Sequence, residues 1–140
     1  GVQTCALPIY VAKNLNEQTG IETRRANRIA RTEITTALRR ARWDEAQDAQ
    51  DRYGIKTKLL HISALSPTTR ATHAARHAHL YTQDEVREWY TKNGNAINCK
   101  CSQLSVLVDD KGNPLTPSVI DKAKQTFNDM KERGYKWAEG

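Results

Sequence analysis

The chain has 140 residues, a net charge of +6 and a sequence pI near 9.4, with 38% hydrophobic and only 6% aromatic residues. That length fits one domain better than two, and the core has to be built from Ala, Ile, Leu and Val rather than from rings; a chain of this size buries roughly two-thirds of its unfolded surface, enough for one cooperative core. No apolar run comes near the ~20 residues needed to cross a bilayer, so a soluble protein with no membrane partner is expected; three cysteines are neither dense nor even enough for a secreted disulfide scaffold, which points to a reducing compartment.

Gly1 to Ile9, GVQTCALPI, reads as the in-frame translation of a sequencing-library adapter. It is not a signal peptide: it has no basic n-region, and Gln3, Thr4 and Pro8 interrupt its apolar part. On that reading the natural sequence begins near Tyr10, as the carboxy-terminal piece of a longer protein, and Cys5 drops out of any chemistry. Tyr10 to Thr19 reads as the end of a helix stopped by Gly20 in a left-handed cap. A long helix follows over residues 22–53. In it Ala26, Ala30, Ile34, Ala37, Leu38 and Ala41 recur at steps of three and four, a narrow stripe of small side chains that lets another helix come close. Asp48 and Arg52, one turn apart, make a favourable pair, and Gly54 is the stop.

Residues 55–63, IKTKLLHIS, alternate and carry enough β-branched side chains for a strand. Residues 64–67 make a turn, and a short helix runs through TTRATHAARHAHL with Ser66 or Thr68 as its cap. Thr82 with Glu85 three residues on is a capping box that opens a helix over residues 83–90. Residues 92–95, KNGN, have turn chemistry; residues 101–109 form a second strand, and DDKGNPLTP a tight turn and linker. Residues 118–133 form an amphipathic helix carrying Val119, Ile120, Ala123, Phe127 and Met130, ended by Gly134. Helices, strand, short helices, strand, helix is the order of an α+β fold: long amino-terminal helices packed on a small sheet, with short helices and a carboxy-terminal helix. Residues 10–54 are then a helical segment and 55–140 a small α+β domain, the two together making one structural unit.

Charge is unevenly spread. Arg24, Arg25, Arg28, Arg31, Arg39, Arg40 and Arg42 fall in one helical stretch with a single acid, Glu33, whereas the next ten residues bring Asp44, Glu45, Asp48 and Asp51. A basic helix face of this kind can follow a phosphate backbone or an acidic protein, or can simply be solvated. Aromatic residues are not interleaved with the arginines as in a single-strand stacking platform, so base-specific readout is not supported.

His73 and His77 are four residues apart, which on a helix puts both imidazoles on one face about 6 Å apart, a spacing that can share a metal ion. Cys99 and Cys101, two apart, share one face of a strand, and a disulfide between such close neighbours is geometrically poor. Two imidazoles and two thiolates are the ligand count of a structural zinc site. The one-residue gap at Lys100 is shorter than in zinc knuckles, and the other reading is a pair of compact buried cysteines beside surface histidines. A Cys–His nucleophile pair would lack an orienting third group, so no catalytic residue is assigned.

Three separated motifs also stand in one order: RIARTEITTA at 28–37, TTRATHAARHAHLYT at 68–82, and INCKC at 97–101, followed by VLVDDKGNPL. Together they resemble the head-morphogenesis (Mu F-like minor head) family of tailed phages. Arg31, Thr32 and Glu33 match its helical Ala-Arg-Thr-Glu segment, Arg70 and His73 its Arg-x-x-His element, and Asn98, Cys99, Lys100 and Cys101 its Asn-Cys-basic-Cys element. The likeness runs from about Arg28 to Leu115. It departs at Ser66 and Thr68, where members carry an Asp, and at Ala78, where near relatives tend to have Gly. The resemblance implies a minor capsid component acting near the portal in head assembly and in DNA packaging or ejection. Its partners would be portal and capsid proteins, and it would be found in the virion head and, during assembly, in the host cytoplasm; the basic Arg24 to Arg42 helix would offer DNA a non-specific contact. No catalytic residue or established cofactor comes with it. The alternative is a small phage-encoded nuclease or nucleotide-transferring domain in which Arg70 holds phosphate and His73 is the general acid or base.

Overall fold

The structure, a computed structural model, describes Val2 to Glu139, with side chains from Leu7 onward; Gly1 and the side chains up to Ala6, part of the expected leader, lie outside the described residues. The elements are α1 (Val2–Thr19), α2 (Thr23–Tyr53), β1 (Thr57–Ile62), α3 (Ala71–Ala74), β2 (Leu80–Tyr81), α4 (Gln83–Thr91), β3 (Ser102–Leu107), α5 (Pro117–Lys131) and a closing 3-10 turn at Lys136–Ala138. This is an α+β chain. None of its described helices is long and apolar enough to cross a membrane. It divides into two compact units, one of residues 1–42 with 89–99 and the other of residues 43–88 with 100–140.

In the first unit, Gly20 ends α1 at φ +69° and donates its N–H to the Asn16 carbonyl at 3.0 Å. Asn16 then donates from its amide to the Ile21 carbonyl at 2.7 Å, fixing the reversal into α2. Val11, Leu15 and Ile21 pack on buried Ala12, Ala26 and Ala30. The two alanines of α2 are fully buried beneath these side chains. The rest of the expected stripe is covered only at Ile34, which is half-buried. The apolar side chains packed there reach Ala26 and Ala30 only, and Ala37, Leu38 and Ala41 face solvent.

The second unit is built on a three-stranded antiparallel sheet of order β2-β1-β3. Val108 donates to the Lys56 carbonyl at 3.0 Å, which sets a register pairing Leu60 with Leu104 and His61 with Gln103. On one face Leu60, Ala78, Val106 and Ala123 form a core with Ile62, Leu80, Val119 and Ile120 around it. A second cluster joins Leu65, Ala74 and Trp137 to Phe127 and Met130, so α5 buries the side chains that its periodicity marks. Each large aliphatic side chain fully buried in this way contributes about 1.5–3 kcal/mol.

The capping box at α4 is complete: Thr82 Oγ1 accepts from the Glu85 N–H at 3.2 Å, and Glu85 Oε2 accepts from the Thr82 N–H at 2.8 Å. In the turn after β3, Asp109 accepts the N–H groups of Lys111 and Asn113 at 2.9 and 2.8 Å, and Gly112 supplies the left-handed residue at φ +83°.

The segment between β1 and α4 differs from expectation. Its helix spans only Ala71–Ala74, capped by Arg70 with no side-chain bond, and the chain then turns to form β2, which the sequence reading absorbed into that helix. Ala78 makes the bend at φ +64°. His73 and His77 therefore do not share a helix face: the His77 N–H closes a tight turn on the Ala74 carbonyl at 3.0 Å, and its ring is drawn elsewhere.

Candidate functional site

In the first unit two of the signature segments meet. Asn98 sits in the left-handed region at φ +48°, a conformation its short polar side chain tolerates, and its N–H points at Thr32 Oγ1 on α2, 2.8 Å away. About two turns further along α2, Arg39 is turned inward at 5% exposure. It donates to the Cys99 carbonyl at 2.8 Å and lies 4.4 Å from the centre of the Tyr90 ring, whose hydroxyl is 3.6 Å from Cys99 Sγ. Arg39 therefore does not belong to the basic contact face on which the sequence placed it. Its guanidinium ties the Cys99 backbone to α2. Arg24, Arg25, Arg28, Arg31, Arg40, Arg42 and the acid Glu33 are exposed.

In the second unit, His73 is 2% exposed and its Nδ1 lies 3.5 Å from Cys101 Sγ. That distance suits a thiol–imidazole hydrogen bond. It also suits two ligands of one tetrahedral zinc ion, whose bonds of about 2.0–2.3 Å put neighbouring donors about 3.5 Å apart. Cys99 precedes Cys101 by two residues; both are buried and reduced, and they lie in the approach to β3 rather than on the strand.

His77 is not a metal ligand in this arrangement. Its Nδ1 accepts the Ser63 N–H at 3.0 Å and its Nε2–H donates to the Ala123 carbonyl at 3.0 Å, which commits both ring nitrogens. The ring stacks on Phe127 with centroids 6.0 Å apart. Burial holds its pKa below the ordinary 6.5, against the Ala123 carbonyl, which favours the protonated ring. Arg70 is exposed while His73 is closed off from solvent, so the two do not offer a phosphate grip beside an accessible acid or base.

Sequence reasoning missed a second buried polar group. His61 on β1 is fully buried, with Nδ1 3.4 Å from Gln103 Nε2 and its ring edge-on to Tyr81. The Arg76 guanidinium lies 3.7 Å above the same Tyr81 ring. A polar residue set within the apolar run Leu59, Leu60, Ile62 of β1 was the available signal.

Fold and site together define a small α+β protein in which His73, Cys99 and Cys101 are each withdrawn from solvent. The profile described as Phage Mu protein F like protein matches residues 9–104, more than half of the chain, and the chain belongs to that family. At the level of the family this makes it a phage head-morphogenesis protein. No curated protein and no solved structure matches it significantly.

Proposed function

We propose that this chain is a minor capsid protein that works beside the portal of a tailed phage, during head assembly and in DNA packaging or ejection. Family membership carries the reading: the match includes the helical Arg31–Glu33 segment, the Arg70–His73 element and the Asn98–Cys101 element. The burial of His73 and the use of both His77 nitrogens within the protein favour a structural role over a nuclease or transferase. Its partners are portal and capsid proteins, and its places are the virion head and the host cytoplasm before the head is closed. Affinity purification of the tagged chain from cells co-expressing the portal and major capsid proteins of a Mu-like phage is expected to recover portal protein. Recovery of neither protein refutes the reading.

The same reading includes a structural zinc ion. His73 and Cys101, with Cys99 two residues back along the chain, offer buried nitrogen and sulfur donors of the kind that could hold a metal. Zinc on these side chains fixes the chain at the start of β3. Metal analysis of the purified protein should find zinc at about one per chain, lost in His73→Ala and in Cys101→Ser. Equal metal content in all three proteins sinks the zinc site and leaves the head-protein reading untouched.

A further inference from the structure

Six of the seven arginines in the first half of α2 face solvent. At about 100° per residue, Arg24, Arg28, Arg31 and Arg42 fall within an arc of about 60°, on the side of the helix away from buried Ala26 and Ala30. From Arg24 to Arg42 the stripe is about 27 Å long. No carboxylate lies within ion-pair distance of any of the four among the described residues. The nearby acids Glu22 and Glu33 project from about the opposite side of the helix. The last turns of the same helix do carry a compensated pair, Arg52 with Asp48 at 2.7 Å.

Two features narrow the partner. Every cation of α2 is an arginine and none a lysine; the planar guanidinium fork matches phosphate oxygens two at a time, which an ammonium does not. There is no aromatic residue between Arg24 and Arg42 on which an unpaired base could stack, and Trp43 beyond them is buried. A rigid row of forks without stacking platforms suits a regular array of phosphates, and a double helix presents one charge per ~1.7 Å of its axis.

We infer that the Arg24–Arg28–Arg31–Arg42 stripe is a surface for double-helical DNA, gripping backbone phosphates without reading sequence. For its setting, though not for its chemistry, this surface rests on the head-protein reading; portal capture tests that reading and free duplex tests the stripe, so either can fail alone.

The test is fluorescence anisotropy of the whole chain with two unrelated duplexes of ~20 base pairs, about two helical turns, with the single strand of one of them, and with polyglutamate as competitor. Both duplexes should bind alike and more tightly than the single strand. Four phosphate contacts give a slope of about −3.6 in log K against log salt, so binding should weaken roughly a hundredfold between about 50 and 200 mM salt. Arg28→Ala/Arg31→Ala should halve that slope while leaving the helix intact by circular dichroism, alanine being the better helix former. Arg40→Ala, well off the stripe, should leave the slope unchanged. Absence of duplex binding at the lowest salt, an unaltered slope in the double variant, or tighter binding of the single strand overturns the proposal. Displacement of duplex by polyglutamate at equal charge concentration overturns it too, and makes an acidic protein the partner.

Discussion

Arg39→Ala asks whether one buried guanidinium holds the Cys99 segment to α2. Arg39 is 5% exposed, so its charged hydrogen bond to the Cys99 carbonyl and its approach to the Tyr90 ring are both desolvated. A hydrogen bond from a charged donor contributes about 1.5–3 kcal/mol, and a desolvated cation–π contact about 2 kcal/mol. The two share one group and do not add fully, so the loss should be about 4 kcal/mol. With a urea dependence of about 2 kcal/mol per molar, the midpoint followed by circular dichroism should fall by about 2 M. Arg28→Ala on the same helix supplies the contrast: Arg28 is exposed, and its replacement should stay within about 0.5 kcal/mol of the parent. Arg39→Lys keeps the charge but loses the fork, and belongs between the two. If Arg39→Ala proves no more costly than Arg28→Ala, the guanidinium is not the tie described.

Thr82→Ala removes one half of the α4 capping box and should lower stability by about 1 kcal/mol in the same titration; an unchanged midpoint would show that Glu85 alone caps the helix. His77 gives the protein a pH dependence of known sign. Its folded pKa lies below 6.5, so as pH falls from that value the unfolded ring takes up a proton first, and the stability present above about 6.5 drains away toward the folded pKa. Melting temperatures of the parent and of His77→Gln, measured between pH 7.5 and 5 with a chelator present, should diverge, the parent falling more steeply; parallel curves would mean that this ring is not the group responsible.

Elements whose cause is local were legible in the sequence. Gly20, Gly54 and Gly134 stop their helices in the left-handed conformation, Thr82 and Glu85 cap α4 reciprocally, and the apolar steps of α5 point into the core. Where contacts come from far along the chain, local pattern misled. TTRATHAARHAHL has good helix formers, yet the helix ends at Ala74 because the Ser63 N–H and the Ala123 carbonyl claim the His77 ring, a tertiary demand that outweighs propensity. The two-residue β2 exists only through its pairing with β1. Arg39 looks like its six neighbours in sequence, and the Cys99 carbonyl that buries it lies 60 residues on. At the candidate site, the family elements named His73 and Cys101, whereas helical spacing alone chose His77 as His73's companion.

Ala78 shows how one position can be exchanged without changing the shape of the chain. A left-handed alanine costs about 1–2 kcal/mol relative to an ordinary backbone, a cost that glycine at the same position would not carry. In this chain the alanine methyl lies in the core with Leu60, Val106 and Ala123. Burying one such carbon is worth about 0.8 kcal/mol, and glycine would lose about 0.5–1 kcal/mol more chain entropy on folding. The opposing effects are nearly equal, so Ala78→Gly is close to neutral, and the bend into β2, and with it the register of the sheet, stays where it is.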